Sequence, residues 1–161
     1  MPENINLITD RTQEDVNRAL YLRSKWVGGA WTGTQDELAE WNTDLKGSYN
    51  ASDLNRVGNA MLYLAERMNA CGYSVTVSPK TDFAEGYAPK ESEMDQYLAD
   101  LSMLRGVLPL PESTPEVPDD MKELTYIEAN NIEQILFDMD RLLTNMSMAW
   151  FYSGDLYSGE I

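Results

Sequence analysis

Four segments of this chain begin alike. Aligned on Asp15, Asp53, Glu93 and Glu128, the next residue is apolar (Val16, Leu54, Met94, Ala129) and the one after it is Asn17, Asn55, Asp95 or Asn130. The spacings between the aligned acids are 38, 40 and 35 residues, within the period range of stacked helical units. Farther along the same alignment Met61 matches Leu101 and Leu136, Leu64 matches Leu104 and Met139, and Met68 matches Leu108 and Leu143. A chain built this way is predicted to be a bundle of capped helices that share apolar stripes.

The capping chemistry explains the pattern. A short polar side chain at a helix start accepts a bond from a free backbone amide, and an acid three residues later answers it and favours the positive end of the helix. Thr12 with Asp15, Thr34 with Glu37, Asn50 with Asp53, and Thr125 with Glu128 fit this rule. The fourth helix in chain order departs from it, starting near Pro89 and running through Met94, Tyr97, Leu98, Leu101 and Leu104. Leu54, Val57, Met61, Leu64 and Met68 on the third helix, and Ile132, Leu136, Met139 and Leu143 on the fifth, recur at three-to-four spacing, so each presents one apolar face to a partner. Gly72 is placed to end the third helix, and Gly28-Gly29 to end the first. The short second helix carries Leu38, Trp41 and Leu45.

The expected fold class is therefore mainly α: about five helices from degenerate repeats, in one domain over residues 1–161. The repeat units run over about 9–42, 43–80, 81–118 and 119–148, with a tail at 149–161. Prolines at 109, 111, 115 and 118 make "LPLPESTPEVPDD" an extended strap between the last two helices, lying across the bundle or bridging two lobes. Alternation at Val75 and Val77 suggests a short strand. The tail duplicates Tyr-Ser-Gly-acid at Tyr152 and Tyr157, which reads as an extended segment or small hairpin.

Each aligned Asn sits in the second helical turn, where Asn is a mediocre helix former. Its placement is repaid if the amide bonds the backbone of the extended segment entering its own or a neighbouring repeat. The alternative is a ligand site made of these amides and carboxylates. Asp15, Asp53, Glu93 and Glu128 with Asn17, Asn55, Asp95 and Asn130 are thus structural repeat positions first.

Several chemistries are disfavoured by composition. The chain has 161 residues, no histidine and a single cysteine, Cys71, so Ser-His-Asp and Cys-His nucleophile systems, His-based metal sites and an internal disulfide are out. Neither a catalytic residue set, a metal site nor a cofactor is expected. Apolar runs stay well short of the ~18 residues a membrane helix requires, and the N-terminus lacks a basic start followed by an apolar stretch, so synthesis in the cytoplasm without a signal peptide is expected. The "GGAWTGT" stretch lacks the lysine of a phosphate loop, and "DLNRVG" puts Val57 and Leu64 where a calcium loop needs oxygen ligands.

Charge is uneven. Residues 1–80 hold 8 basic and 10 acidic side chains, whereas residues 81–161 hold 4 and 17, within a net charge of −15. That field repels phosphate backbones, so direct nucleic-acid binding is disfavoured, and it suits solubility, a basic partner or mimicry of nucleic acid. Trp26, Trp31, Trp41 and Trp150 can serve as core or as a stacking surface; Trp26 and Trp41 are expected to complete the core and Trp150 to pack against the tail. Trp150, Tyr152 and Tyr157 are the interface candidates, the tail acting as a strand that pairs with a partner's strand.

"YNASDLNRVGNAMLYLAERMNACGY", "KTDF" ahead of another such helix, "LTYIEANNIEQILFDMDRLL" and the closing "YSGDLYSGE" together resemble a repeated module of phage and prophage proteins of Gram-positive gut bacteria, often tail or other virion components. The resemblance covers residues 43 to 160, and residues 9 to 26 more loosely. It departs at the third repeat, where Asp95-Gln96 replaces Asn-Arg and the polar cap is lost. The resemblance implies a non-enzymatic structural protein, incorporated in a virion, whose partners are other virion subunits or further copies of itself. Two alternatives come from the residues alone: an acidic inhibitor of a basic host protein that handles nucleic acid, and a carbohydrate-binding module using Trp31 or Trp150.

Overall fold

The computed structural model describes residues 5–158, with side chains described for 5–150. The elements run α1 (Gln13–Ser24), β1 (Trp26–Val27), β2 (Ala30–Trp31), α2 (Gln35–Trp41), α3 (Ala51–Ala70), α4 (Glu91–Val107) and α5 (Tyr126–Ser158). The protein is a helical bundle, and the antiparallel pair β1–β2 is its one sheet among the described residues.

The aligned stripes form the core. Val57, Tyr97 and Ile132, then Met61, Leu101 and Leu136, then Leu64, Leu104 and Met139, then Met68, Leu108 and Leu143 are all buried in a single apolar cluster. α3 packs on both α4 and α5. Ala19 and Leu22 of α1 are buried outside that cluster, where α1 meets α2 and the hairpin. The first quarter of the chain is thus a small unit with its own contacts.

Helix ends follow the local chemistry. Full capping boxes form at Thr12–Asp15 and Thr34–Glu37, and Thr125 Oγ1 accepts from the Glu128 amide while Glu128 takes the Thr125 amide. Two starts keep only the acid's half: Asp53 takes the Asn50 amide at 2.7 Å and Glu93 takes the Lys90 amide at 2.8 Å. Asn50 spends its own side chain on the Leu45 carbonyl. Pro89 precedes the α4 cap, Lys90, rather than entering the helix, and Glu93 preserves half of the cap expected to be lost there. Gly72, at φ 93°, closes α3 through Gly72 N–H to the Asn69 carbonyl and Tyr73 N–H to the Met68 carbonyl, a Schellman motif.

Three expectations are corrected. Gly28 and Gly29 do not end α1, which stops at Ser24; with φ of 58° and 80° they form the two-residue turn of the β1–β2 hairpin, whose right-handed twist needs positive φ at both central positions. Val75 and Val77 form no strand, because their segment finds its hydrogen bonds on side chains. The tail is not extended: helix continues without a break to Ser158, since Leu142, Leu143, Met146, Met148 and Ala149 favour it and no proline intervenes. Tyr152 and Tyr157 lie on that helical backbone, and residues 159–161 lie outside the described residues.

The proline-rich strap lies across the bundle. Leu108 is buried with Leu110 and Val117 against the core, Arg105 of α4 donates to the Pro115 and Thr114 carbonyls, and buried Thr114 donates to Asp138 of α5 at 2.7 Å. Another crossing is tighter. Gly47 lies so close to the first turn of α1 that an added Cβ would stand 2.0 Å from the Asp15 carbonyl oxygen. Gly47→Ala is therefore expected to destabilise the protein by roughly 1–3 kcal/mol or more, read as a lowered urea midpoint with an unchanged slope.

Candidate functional site

The most concentrated chemistry is a buried quartet of two arginines and two acids. Arg11, in the segment before α1, directs Nη2 to Asp53 Oδ1 of α3 and Glu133 Oε1 of α5, both at 2.8 Å. Arg56 of α3 meets Asp53 at 2.5 Å and Glu133 through Nη2 at 2.7 Å and Nε at 3.1 Å. Glu133 also takes the Ile8 amide at 2.6 Å, and Arg11 Nη1 donates to the Ile8 carbonyl at 2.9 Å. Glu133 is fully buried, Arg11 and Asp53 are 4% exposed and Arg56 is partly buried, so of four formal charges that cancel, three sit where water cannot stabilise them. Among the described residues, Arg11 Nε is the buried side-chain atom left without a hydrogen bond. The Tyr49 ring lies 5.5 Å from the Arg11 guanidinium carbon.

Burial pulls the Arg56 guanidinium down, but its bonds to Glu133 and Asp53 prevail and hold it above its ordinary value. The quartet's acids are consumed by arginines and backbone amides, which equips it to hold segments together and leaves no free base for catalysis.

Around the quartet, asparagine amides grip main chain at both ends. Asn130 accepts from the Arg11 amide at 3.0 Å and donates to the Arg11 carbonyl at 2.9 Å. Asn55 does the same to Phe83, at 2.8 and 3.0 Å. Asn69, absent from the repeat alignment, grips Val75 at 2.9 Å in both directions. Asn55 and Asn69 are 14 residues apart, near one face of α3 and roughly 21 Å along it. Between them Gly58 lets the Lys80 carbonyl and Thr81 approach to 3.0 Å of where a Cβ would be. Residues 75–83 thus run antiparallel to α3 as an extended strap, and Asp100 of α4 takes the Ser78 amide from the other side. Both repeat-position clamps seize the residue after a Thr-Asp pair, Thr9-Asp10-Arg11 and Thr81-Asp82-Phe83.

The predicted repeat positions divide accordingly. Asp15, Glu93 and Glu128 cap helices. Asp53 caps α3 and also enters the quartet. Asn55 and Asn130 are backbone clamps as expected. Asn17 is not: exposed on α1, it accepts from Gln13 and reaches no strap. Asp95 is exposed and makes no hydrogen bond or ion pair. Trp26 and Trp41 do not complete the main core; they flank Trp31, with ring centroids at 5.5 and 6.5 Å, on the α1–hairpin–α2 unit. Trp150 is 52% exposed on α5.

Arg11, Arg56 and Glu133 were not anticipated. The signal was present: Glu133 interrupts an apolar stripe beside Ile132, Ile135 and Leu136, where an unpaired charge would be untenable. Asp138 and Asp140, two residues apart on α5 and so on different faces, are engaged separately, the first by Thr114 and the second by Arg67.

Among the described residues, no three His, Cys, Asp or Glu side chains converge as a metal site, and no helix is long and apolar enough to cross a membrane. Comparison with protein-family models, curated proteins and solved structures finds no match.

Truncating Glu133 leaves two guanidinium groups to share the single carboxylate of Asp53, with Arg11 buried beside an uncompensated charge, so Glu133→Ala is expected to cost about 3–5 kcal/mol. In the same urea series Asn55→Ala is expected to cost about 1–3 kcal/mol and Asn17→Ala less than about 0.5 kcal/mol. Equal effects at Asn55 and Asn17 would remove the clamp assignment.

Stability also has an acid and an alkaline limit. Backbone bonds from Thr12, Thr34 and Lys90 hold Asp15, Glu37 and Glu93 below their ordinary values of 3.8 to 4.5. Their stabilisation is complete above about pH 4.5 and is lost as pH falls below it. At the other end Tyr97, 1% exposed, shares a 3.0 Å phenol–phenol bond with Tyr49, and burial raises both hydroxyls above the ordinary 10.0. The neutral phenols stabilise the fold below about pH 10 and that contribution declines as pH rises further. Circular dichroism against pH should show loss at both ends, and Tyr97→Phe should reduce the alkaline dependence.

Proposed function

We propose that this chain is a non-enzymatic interaction module, a rigid helical body that presents the free end of α5 to other proteins. The observation that carries this reading is the length of α5. Among residues whose side chains are described, Leu143 is the last buried one on α5, yet the helix continues to Ser158, roughly 20 Å farther. Met148 and Trp150 beyond it are 51% and 52% exposed. A helix end that exposes large apolar side chains suits the groove of a partner or a second copy.

The likeness to phage and prophage modules supplies the setting: assembly of a virion, with tail subunits or copies of this chain as partners. Mass spectrometry of particles purified from the phage that encodes the chain should find it in stoichiometric amount. Trp150→Asp should leave the monomer folded and deplete it from particles. Clean particles that never contain the chain overturn the virion reading.

The imbalance of 17 acids against 4 bases in residues 81–161 supports a second reading, an inhibitor that occupies the groove of a basic host protein. It calls for salt-sensitive capture of such a protein, which a virion subunit does not require. A glycan platform draws less support, because three tryptophans stack on one another at the hairpin while Trp150 makes no ring contact with them.

A further inference from the structure

Of the three helices that share the main core, one leaves its clamp position unfilled. Asn55 on α3 and Asn130 on α5 each hold an extended segment by donating and accepting one hydrogen bond. The same register on α4 carries Asp95, which as a carboxylate accepts only. It holds nothing. Opposite it the segment entering α5 stands off, and a cavity of about 380 Å³ opens between them. Leu54, Met94, Met121 and Leu124 supply apolar walls, while Asp95 and Asp120 bring negative charge.

We propose that this cavity docks an extended segment of a partner protein carrying a lysine or arginine beside an apolar residue. Three observations carry the assignment. On α3 and α5, the two helices that share the main core with α4, the equivalent register holds extended main chain, whereas Asn17 on α1, outside that core, does not; the α4 register is therefore placed for the same kind of guest. Its side chain has changed from a group that needs an acceptor as well as a donor to one that takes donors only, which backbone N–H and an ammonium or guanidinium group provide. At the cavity one cation, Lys122, faces three acids: it pairs with Glu91 at 2.8 Å, Asp95 and Asp120 lie within its field, and Asp120 also takes the Lys122 amide at 2.7 Å, so the lining is left with a net negative charge. The volume lies at the lower end for binding cavities and suits one or two side chains, not a folded surface.

This site is separate from the α5 end, and the test reads the two apart. The full chain is labelled with ¹³C at its methionine methyls and titrated with acetyl-Gly-Leu-Lys-Leu-Gly-amide. Met94 and Met121 should shift, with Met146 and Met148 on α5 unmoved and core Met61, Met68 and Met139 reporting an intact fold. Affinity should fall at least about threefold between roughly 50 and 200 mM salt. Asp95→Ala should weaken it roughly fivefold, while the core methyls stay in place. The proposal is overturned if neither cavity methyl moves, if the peptide with Glu in place of Lys binds equally, or if Asp95→Ala binds as well as the parent. A response to spermidine but not to the peptide would also overturn it, assigning the cavity to a free amine instead.

Discussion

Everything in this fold hangs from a buried exchange of charge between Arg11, Arg56, Asp53 and Glu133. Removing four ions from water is costly, and only mutual pairing with added backbone bonds makes it tolerable. The pairing is demanding because its members come from three places: the segment before α1, the first two turns of α3 and the third turn of α5. Satisfying any one of them requires all three to be present in register. The apolar stripes bring α3, α4 and α5 together, but stripes of similar residues tolerate sliding; a net-neutral charge knot does not. Since the knot cancels internally, the chain's excess of acids resides outside it.

The asparagine clamps solve the accompanying backbone problem. Extended segments laid over helices have amides and carbonyls with no neighbouring strand to satisfy them. A primary amide offers the donor and acceptor that another peptide group would offer, so Asn55, Asn69 and Asn130 stand in for a strand's edge. That substitution explains how a bundle with only a four-residue sheet accommodates long straps around its core. It also explains why Asp95 breaks the scheme: one atom changed from nitrogen to oxygen removes the donor and leaves a gap.

Much of this was legible in the residues. The three-to-four spacing of Leu54 to Met68 and of Ile132 to Leu143 reports a stripe directly, and capping residues mark helix starts because they answer local amides. Asn55 and Asn130 were legible for a related reason, being polar residues in costly positions that recur. Asn17 shares the register and not the role, because α1 sits outside the main core and the segment that crosses it meets its first turn at Gly47, leaving Asn17 to bond Gln13. Gly28-Gly29 misled because a helix terminus and a two-residue hairpin turn both call for positive φ. The tail misled because its glycines outweighed the helix formers before them. Glu133 was missed since its partners lie 77 and 122 residues away, and no local rule joins them.

The distance between Arg11 and Glu133 bears on how the chain is made. During translation Arg11 leaves the ribosome long before the helix that holds its acid, so the early segments emerge without the group that fixes them. The N-terminal unit can form its hairpin and short helices from local contacts, yet its anchorage waits for the last third of the polypeptide. Emergence of α5, not the folding of any earlier helix, is therefore the event that fixes these first segments in place.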